Sequence, residues 1–132
     1  MTEPVDAFRA GYEFAFRRYV EHAGETLLRA GYELGREAVG QELSVLDLAV
    51  VHHDVLLATV RHASTPADVA RVTEAAGDFF LESLSAYEMV RRGFVETQEA
   101  ARIERAHAEM IRQLSTFLAD ASLAVDADAS AD

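Results

Sequence analysis

Val5-Asp6-Ala7-Phe8-Arg9-Ala10-Gly11-Tyr12-Glu13-Phe14-Ala15-Phe16-Arg17-Arg18-Tyr19-Val20 carries its apolar stripe at Val5, Phe8, Tyr12, Ala15, Phe16, Tyr19 and Val20. Steps of three and four match the turn of an α-helix and gather these side chains on one face. The stretch therefore predicts an amphipathic helix over Pro4–His22. Thr2 is placed to cap it and Pro4 is tolerated in its first turn. Ala23-Gly24 ends it. The aromatics Tyr12, Phe14, Phe16 and Tyr19 are expected to be core rather than the lining of a pocket.

The same period continues along the chain. A second helix is predicted over Glu25–Val39, with Leu27, Leu28, Tyr32, Leu34 and Ala38 inside and Gly40 as its stop. Ser44 caps a third, with Asp47 at the third helical position. That helix holds Val45, Leu46, Leu48, Val50, Val51, Val55, Leu56, Leu57 and Val60. It is apolar on most sides, so it is expected to be the most buried of all. Ser64-Thr65-Pro66-Ala67-Asp68 closes it and opens a fourth, from Pro66 to about Leu84. Alternating strand patterns and Asn-Gly or Asp-Gly hairpin signals are missing, so the fold class is all-α.

Ser85-Ala86-Tyr87-Glu88 has the capping-box pattern and predicts a break or kink. From there to about Leu123 only Gly93 interrupts a helix. That length, about 57 Å, exceeds the breadth of the preceding bundle, about 30–35 Å. The last helix is thus expected to overhang. Ala100, Ile103, His107, Met110, Leu114, Phe117, Ala121 and Ala124 follow the a/d repeat of a coiled coil, out of phase with Tyr87, Val90 and Phe94. The proximal turns are read as bundle-packed. The distal seam, Ile103, His107, Met110, Leu114 and Phe117, is read as pairing with a second copy. The expected organisation is a four-helix bundle over 1–95, a linker helix of coiled-coil character over 96–124 and a disordered acidic tail over 125–132.

Composition narrows the function. With 132 residues and half of them apolar, the chain can bury one core. It has no cysteine, so disulfides, thiolate metal sites and a cysteine nucleophile are excluded. Its net charge of −11 disfavours nucleic acid and anionic lipid. The two basic doublets, Arg17-Arg18 and Arg91-Arg92, read as solvated helix positions. No apolar run reaches the roughly 20 residues of a membrane span, and the start of the chain lacks a signal-peptide layout. A cytoplasmic protein is expected, and the arginine-only, alanine-rich composition points to a bacterial source.

No catalytic constellation emerges. His52 and His53 are neighbours, about 100° apart on a helix, and cannot share a metal. One is expected in the core with a hydrogen-bond partner and the other exposed. Glu104-Arg105-Ala106-His107 has a Glu-x-x-His spacing, but carboxylate-bridged sites need two such motifs. There is neither a Gly-x-Ser-x-Gly elbow nor a phosphate loop. A non-enzyme without cofactor or metal is expected.

Three motifs occur in order: Tyr32-Glu33-Leu34-Gly35-Arg36, Leu46-Asp47-Leu48-Ala49-Val50-Val51-His52-His53 and Phe80-Leu81-Glu82-Ser83-Leu84-Ser85-Ala86-Tyr87-Glu88-Met89. Together, over roughly residues 12 to 95, they resemble the amino-terminal domain of RsbU-type stress-response phosphatases, a helical domain of KaiA/RsbU type. The resemblance implies a homodimeric bundle that receives a switch kinase of the RsbT type. Such a bundle passes the signal through a linker helix to a serine phosphatase or a sensor module in a partner-switching pathway. It implies docking at Glu25, Arg29, Leu81 and Ser85, and it carries over no phosphatase residue. The alternatives are a ligand-sensing bundle feeding a kinase or phosphatase, and a stand-alone adaptor. A polar buried pocket would favour sensing; a filled core would favour docking.

Overall fold

The computed structural model describes the backbone over residues 3–131 and side chains over 4–127. Four helices follow one another: α1 (Glu3–His22), α2 (Glu25–Gly40), α3 (Val45–Val60) and α4 (Pro66–Ala131). Two compact units divide the chain, Met1–Arg92 and Gly93–Asp132. The first is a four-helix bundle of α1, α2, α3 and the proximal part of α4. The second is the distal part of α4. Thr2, the expected cap of α1, lies outside the described residues.

The bundle core is built around α1. Phe8, Tyr12, Phe16, Tyr19 and Val20 are buried as the stripe predicts, and α1 packs on both α2 and α3. Phe14 is the exception. It sits on the opposite side of the helix from Tyr12 and Phe16, is exposed, and lies under the Arg18 guanidinium. Two ring positions apart on a helix means about 200° of rotation, which no single core face accommodates.

The turns use specific chemistry. Gly24, at φ 125°, supplies the left-handed step between α1 and α2. At the end of α2 the reversal falls on Glu42, at φ 61°, and not on Gly40. The Leu43 N–H donates to the Ala38 carbonyl and the Glu42 N–H to that of Val39, which is the Schellman pattern. Buried Leu43 completes it, and the Tyr87 hydroxyl donates to the Leu43 carbonyl at 2.7 Å. Ser44 and Asp47 form the predicted reciprocal capping box at the start of α3.

Three expectations need correction. First, α3 is not the most buried helix. Only Leu48, Val51 and Val55 are buried, while Val45, Leu46, Val50 and Leu57 are exposed. It is covered on its inward side alone. Second, no break occurs at Ser85. Val72, Ala76, Phe79, Ser83, Ala86 and Tyr87 form one buried stripe of helical period, and packing on both sides of Ser85 carries α4 through it. The capping-box pattern is satisfied only where a residue leaves helical dihedrals. Third, Phe94 is 57% exposed, unlike buried Tyr87, so the proximal stripe does not extend to it. α4 also continues to Ala131, through alanine-rich residues expected to be disordered; Asp132 lies outside the described residues.

His52 and His53 divide as expected. His53 is exposed. His52 lies 2.7 Å from the Tyr12 hydroxyl through Nδ1 and stacks on Phe80 at 4.2 Å. Burial, with His53 beside it, holds His52 at about 4, well below the usual histidine range. Burial also pushes the Tyr12 phenol up, so Tyr12 keeps its proton, and the imidazole tautomer sets which of the two groups donates in the Tyr12–His52 hydrogen bond. The unfolded chain binds a proton here near pH 6.5 and the folded chain does not until about 4. Stability from this site is therefore fully present above pH 6.5 and declines as pH falls toward 4. Denaturation midpoints at pH 7 and pH 4.5 should differ more for the wild type than for His52→Gln. Equal differences would remove His52 from the acid response.

Candidate functional site

α2 and α4 approach closely because α2 presents glycine where they cross. A Cβ at Gly35 would overlap the Ser83 carbonyl oxygen, and one at Gly31 would meet the Phe79 ring at 3.1 Å. The Ser83 hydroxyl donates to the Gly31 carbonyl at 2.7 Å and is fully buried. This crossing aligns the two helices along a shared outer face.

On that face Glu25, Leu28, Arg29 and Tyr32 of α2, spaced at three and four, line a shallow depression with Glu82 of α4, of about 400 Å³. Glu25 stands in the first turn of α2, whose Gly24 cap offers no side-chain hydrogen bond. A carboxylate there is favoured by the helix dipole. Arg29 reaches Glu33 at 3.4 Å, and its guanidinium lies over the Tyr32 ring at 5.7 Å. Of the two carboxylates four residues from it, Glu25 and Glu33, Arg29 thus pairs with Glu33. Such a pair at the surface is worth little by itself, so Arg29 can be recruited by a partner at small expense.

The structure brings Glu25 and Arg29 together in this depression. Leu81 and Ser85 lie one turn apart on the outward side of α4, both exposed, Leu81 to 62%. They do not line the depression; Glu82, beside Leu81 in the chain, does. Leu28, Tyr32 and Glu82 were not singled out for the site from sequence. The signal for the first two was their spacing of three and seven from Glu25.

In the distal unit, Ile103, His107, Met110, Leu114 and Phe117 are all exposed. Ile111, Leu118 and Val125 are exposed as well. They recur every seven residues, immediately after Met110, Phe117 and Ala124. The apolar face thus covers three positions of each heptad, wider than a strict a/d seam. Glu99 with Arg102, and Glu109 with Arg112, pair along the same helix.

Among the described residues, no group of three His, Asp or Glu side chains is placed to hold a metal, and no helix is long and apolar enough to cross a membrane.

Compared with known proteins, residues 10–90 match the N-terminal domain of phosphoserine phosphatase RsbU. No curated protein and no solved structure matches the chain.

Proposed function

The chain belongs to the family of RsbU N-terminal domains, and from that premise we propose that it docks a switch kinase of the RsbT type and relays its binding to a downstream module. The family is the regulatory N-terminal domain of a phosphatase, distinct from the catalytic one. The observation that carries the proposal is the coincidence of two boundaries. The family match, 10–90, falls on the unit that folds as the bundle, Met1–Arg92.

Docking occupies the α2–α4 face. Arg29 and Tyr32 are residue types that dominate binding energies, and Leu81 adds an exposed apolar contact. Ser85 extends this surface by one turn. A filled interior supports docking over ligand sensing. Phe79 lies within 5.2 to 5.8 Å of the rings of Tyr12, Phe16 and Tyr19, centre to centre. In the relay, the distal face at Ile103, His107, Met110, Leu114 and Phe117 pairs with that of a second copy. The receiving module is a serine phosphatase or sensor domain of a cytoplasmic stress or sigma-factor pathway.

The test is binding of a purified RsbT-type kinase to Glu25→Arg and Leu81→Glu, by calorimetry or pull-down. Each variant is expected to weaken binding by about 30-fold, the effect of one hot spot of about 2 kcal/mol. Helical content should stay unchanged, because both side chains are exposed. Wild-type affinity in both variants would place the docking face elsewhere.

A further inference from the structure

We propose that the cleft between the end of α1 and α4, walled by Tyr19, Glu74 and Asp78, receives the arginine or lysine side chains of a helical segment of a partner protein. This goes beyond the docking of a switch kinase. It uses neither Glu25 nor Leu81, the residues changed in the test of that docking.

Residues 19–23, at the end of α1, form one wall of the cleft, and Arg71, Glu74 and Asp78 of α4 stand on the other. Tyr19 is the first observation that points to a ligand. It is only 8% exposed, and its ring packs on Phe79 at 5.8 Å. The other two buried tyrosines are satisfied inside the bundle, Tyr12 by His52 and Tyr87 by the Leu43 carbonyl. The Tyr19 hydroxyl has no hydrogen-bond partner among the described residues, and it opens into the cleft. A polar group on a side chain this buried is normally satisfied.

Charge is the second. Burial and the carboxylates of Asp78 and Glu82 push the Tyr19 phenol up, so it keeps its proton. The negative potential that holds this proton favours a cation brought to the same place. The basic side chains of the cleft are engaged elsewhere. Arg71 donates to the Val20 carbonyl at 2.8 Å and lies 3.9 Å from Asp68. His22 stands 3.8 Å from Glu21. Glu74, Asp78 and Glu82 make no ion pair among the described residues. The Arg71 contact also shows which chemistry this end of the bundle accepts. The last carbonyls of α1 carry the negative end of its dipole, and one of them already takes a guanidinium.

Spacing selects the occupant. Glu74, Asp78 and Glu82 follow one another at steps of four, so they rise about 6 Å apart along α4 and about 12 Å in all. One metal ion, with oxygen ligands at about 2.0–2.6 Å, cannot gather them. Basic residues four apart on a second helix repeat with the same rise, so each can face one carboxylate. A single exposed ion pair contributes little; a row of them on a rigid helix acts together. The row leads to Glu82, which also lines the depression beside Glu25.

The probe is a fluorescein-labelled helical peptide of alanine with arginine at every fourth position, titrated by anisotropy against the full chain at about 50 mM salt. A peptide with glutamine in place of arginine is the reference. The arginine peptide is expected to bind more tightly than the glutamine peptide. Glu74→Gln/Asp78→Asn is expected to weaken it about 10-fold, the loss of two exposed pairs at the upper end of their usual strength. Tyr19→Phe, which keeps the ring and removes the hydroxyl, is expected to weaken it about 3-fold. Glu104→Gln/Asp120→Asn removes the same number of charges from the distal part of α4 and is expected to leave binding unchanged. Helical content should be unaltered in both double variants, since the changed side chains are exposed. Equal weakening by the two double variants overturns the proposal, because net charge alone would then hold the peptide. So does a wild type that does not prefer the arginine peptide. Spermidine that displaces the peptide at concentrations below the peptide's own Kd assigns the cleft to a free polyamine and overturns the assignment to a protein segment. Selective loss of the arginine peptide in Glu74→Gln/Asp78→Asn supports the proposal whether or not Glu25→Arg binds the switch kinase, so the two readings fail separately.

Discussion

Gly35→Ala is expected to destabilise the bundle by about 3 kcal/mol or more, one of the two largest effects predicted for a single substitution here. In an ordinary helix interior the change would help, since alanine is favoured over glycine by about 1 kcal/mol. Here the added methyl would overlap the backbone carbonyl of Ser83 and crowd the Ala86 Cβ. A carbonyl in the middle of α4 moves only if α4 moves. Separating the helices would also break the buried Ser83–Gly31 hydrogen bond. Gly31→Ala is the control. Its methyl meets the edge of the Phe79 ring at 3.1 to 3.3 Å, and a ring can tilt by a few tenths of an ångström, so a loss of about 1 kcal/mol is expected. All four tyrosines, Tyr12, Tyr19, Tyr32 and Tyr87, lie in the first unit and the chain has no tryptophan. The tyrosine band of the near-ultraviolet dichroism during urea denaturation therefore reports on the bundle alone. If Gly35→Ala is as stable as the wild type, or no worse than Gly31→Ala, the close α2–α4 crossing is wrong.

Phe79→Ala is the second, with an expected loss of about 3–5 kcal/mol. Phe79 is fully buried and joins α4 to α1 and α2. It stands edge-on to Tyr12 at 5.2 Å and to Phe16 at 5.7 Å. Such ring pairs contribute about 0.5–1.5 kcal/mol each beyond area burial. Its ring also covers Gly31, which cannot cover itself. Truncation would leave a void walled by three rings and a helix backbone, none of which can collapse into it cheaply. Leu81→Glu, two residues on and facing outward, should change stability by about 0.5 kcal/mol or less. Thermal unfolding of the two variants against the wild type checks both. A Phe79→Ala loss near that of Leu81→Glu would mean that this ring cluster is not the centre of the core.

The α2–α4 face was only partly legible. Glu25 and Arg29 could be placed on one face from their spacing, because local geometry alone decides which residues of one helix are neighbours. That Glu82 joins them across to α4 to line the depression, while exposed Leu81 lies outside it, depends on how α4 is rotated about its axis. Spacing within a single helix carries no information on that rotation. Arg29 likewise had two carboxylates within helical reach, Glu25 and Glu33, and sequence spacing does not choose between them. The structure pairs it with Glu33.

What the sequence by itself determined is the set of helices. The stripe from Val5 to Val20, the Ser44–Asp47 cap and the division of labour between His52 and His53 follow from periodicity and local hydrogen bonding, which act over a few residues. Tertiary structure decided the rest. It carried α4 unbroken through Ser85, because buried contacts at Ser83, Ala86 and Tyr87 outweigh a local capping preference of about 1 kcal/mol. It placed the left-handed step after α2 on Glu42 although glycine was available at Gly40, because Leu43 must turn inward under Tyr87. It left one side of α3 uncovered, because hydrophobicity says that a helix must be covered and only the arrangement of its neighbours says which side they cover.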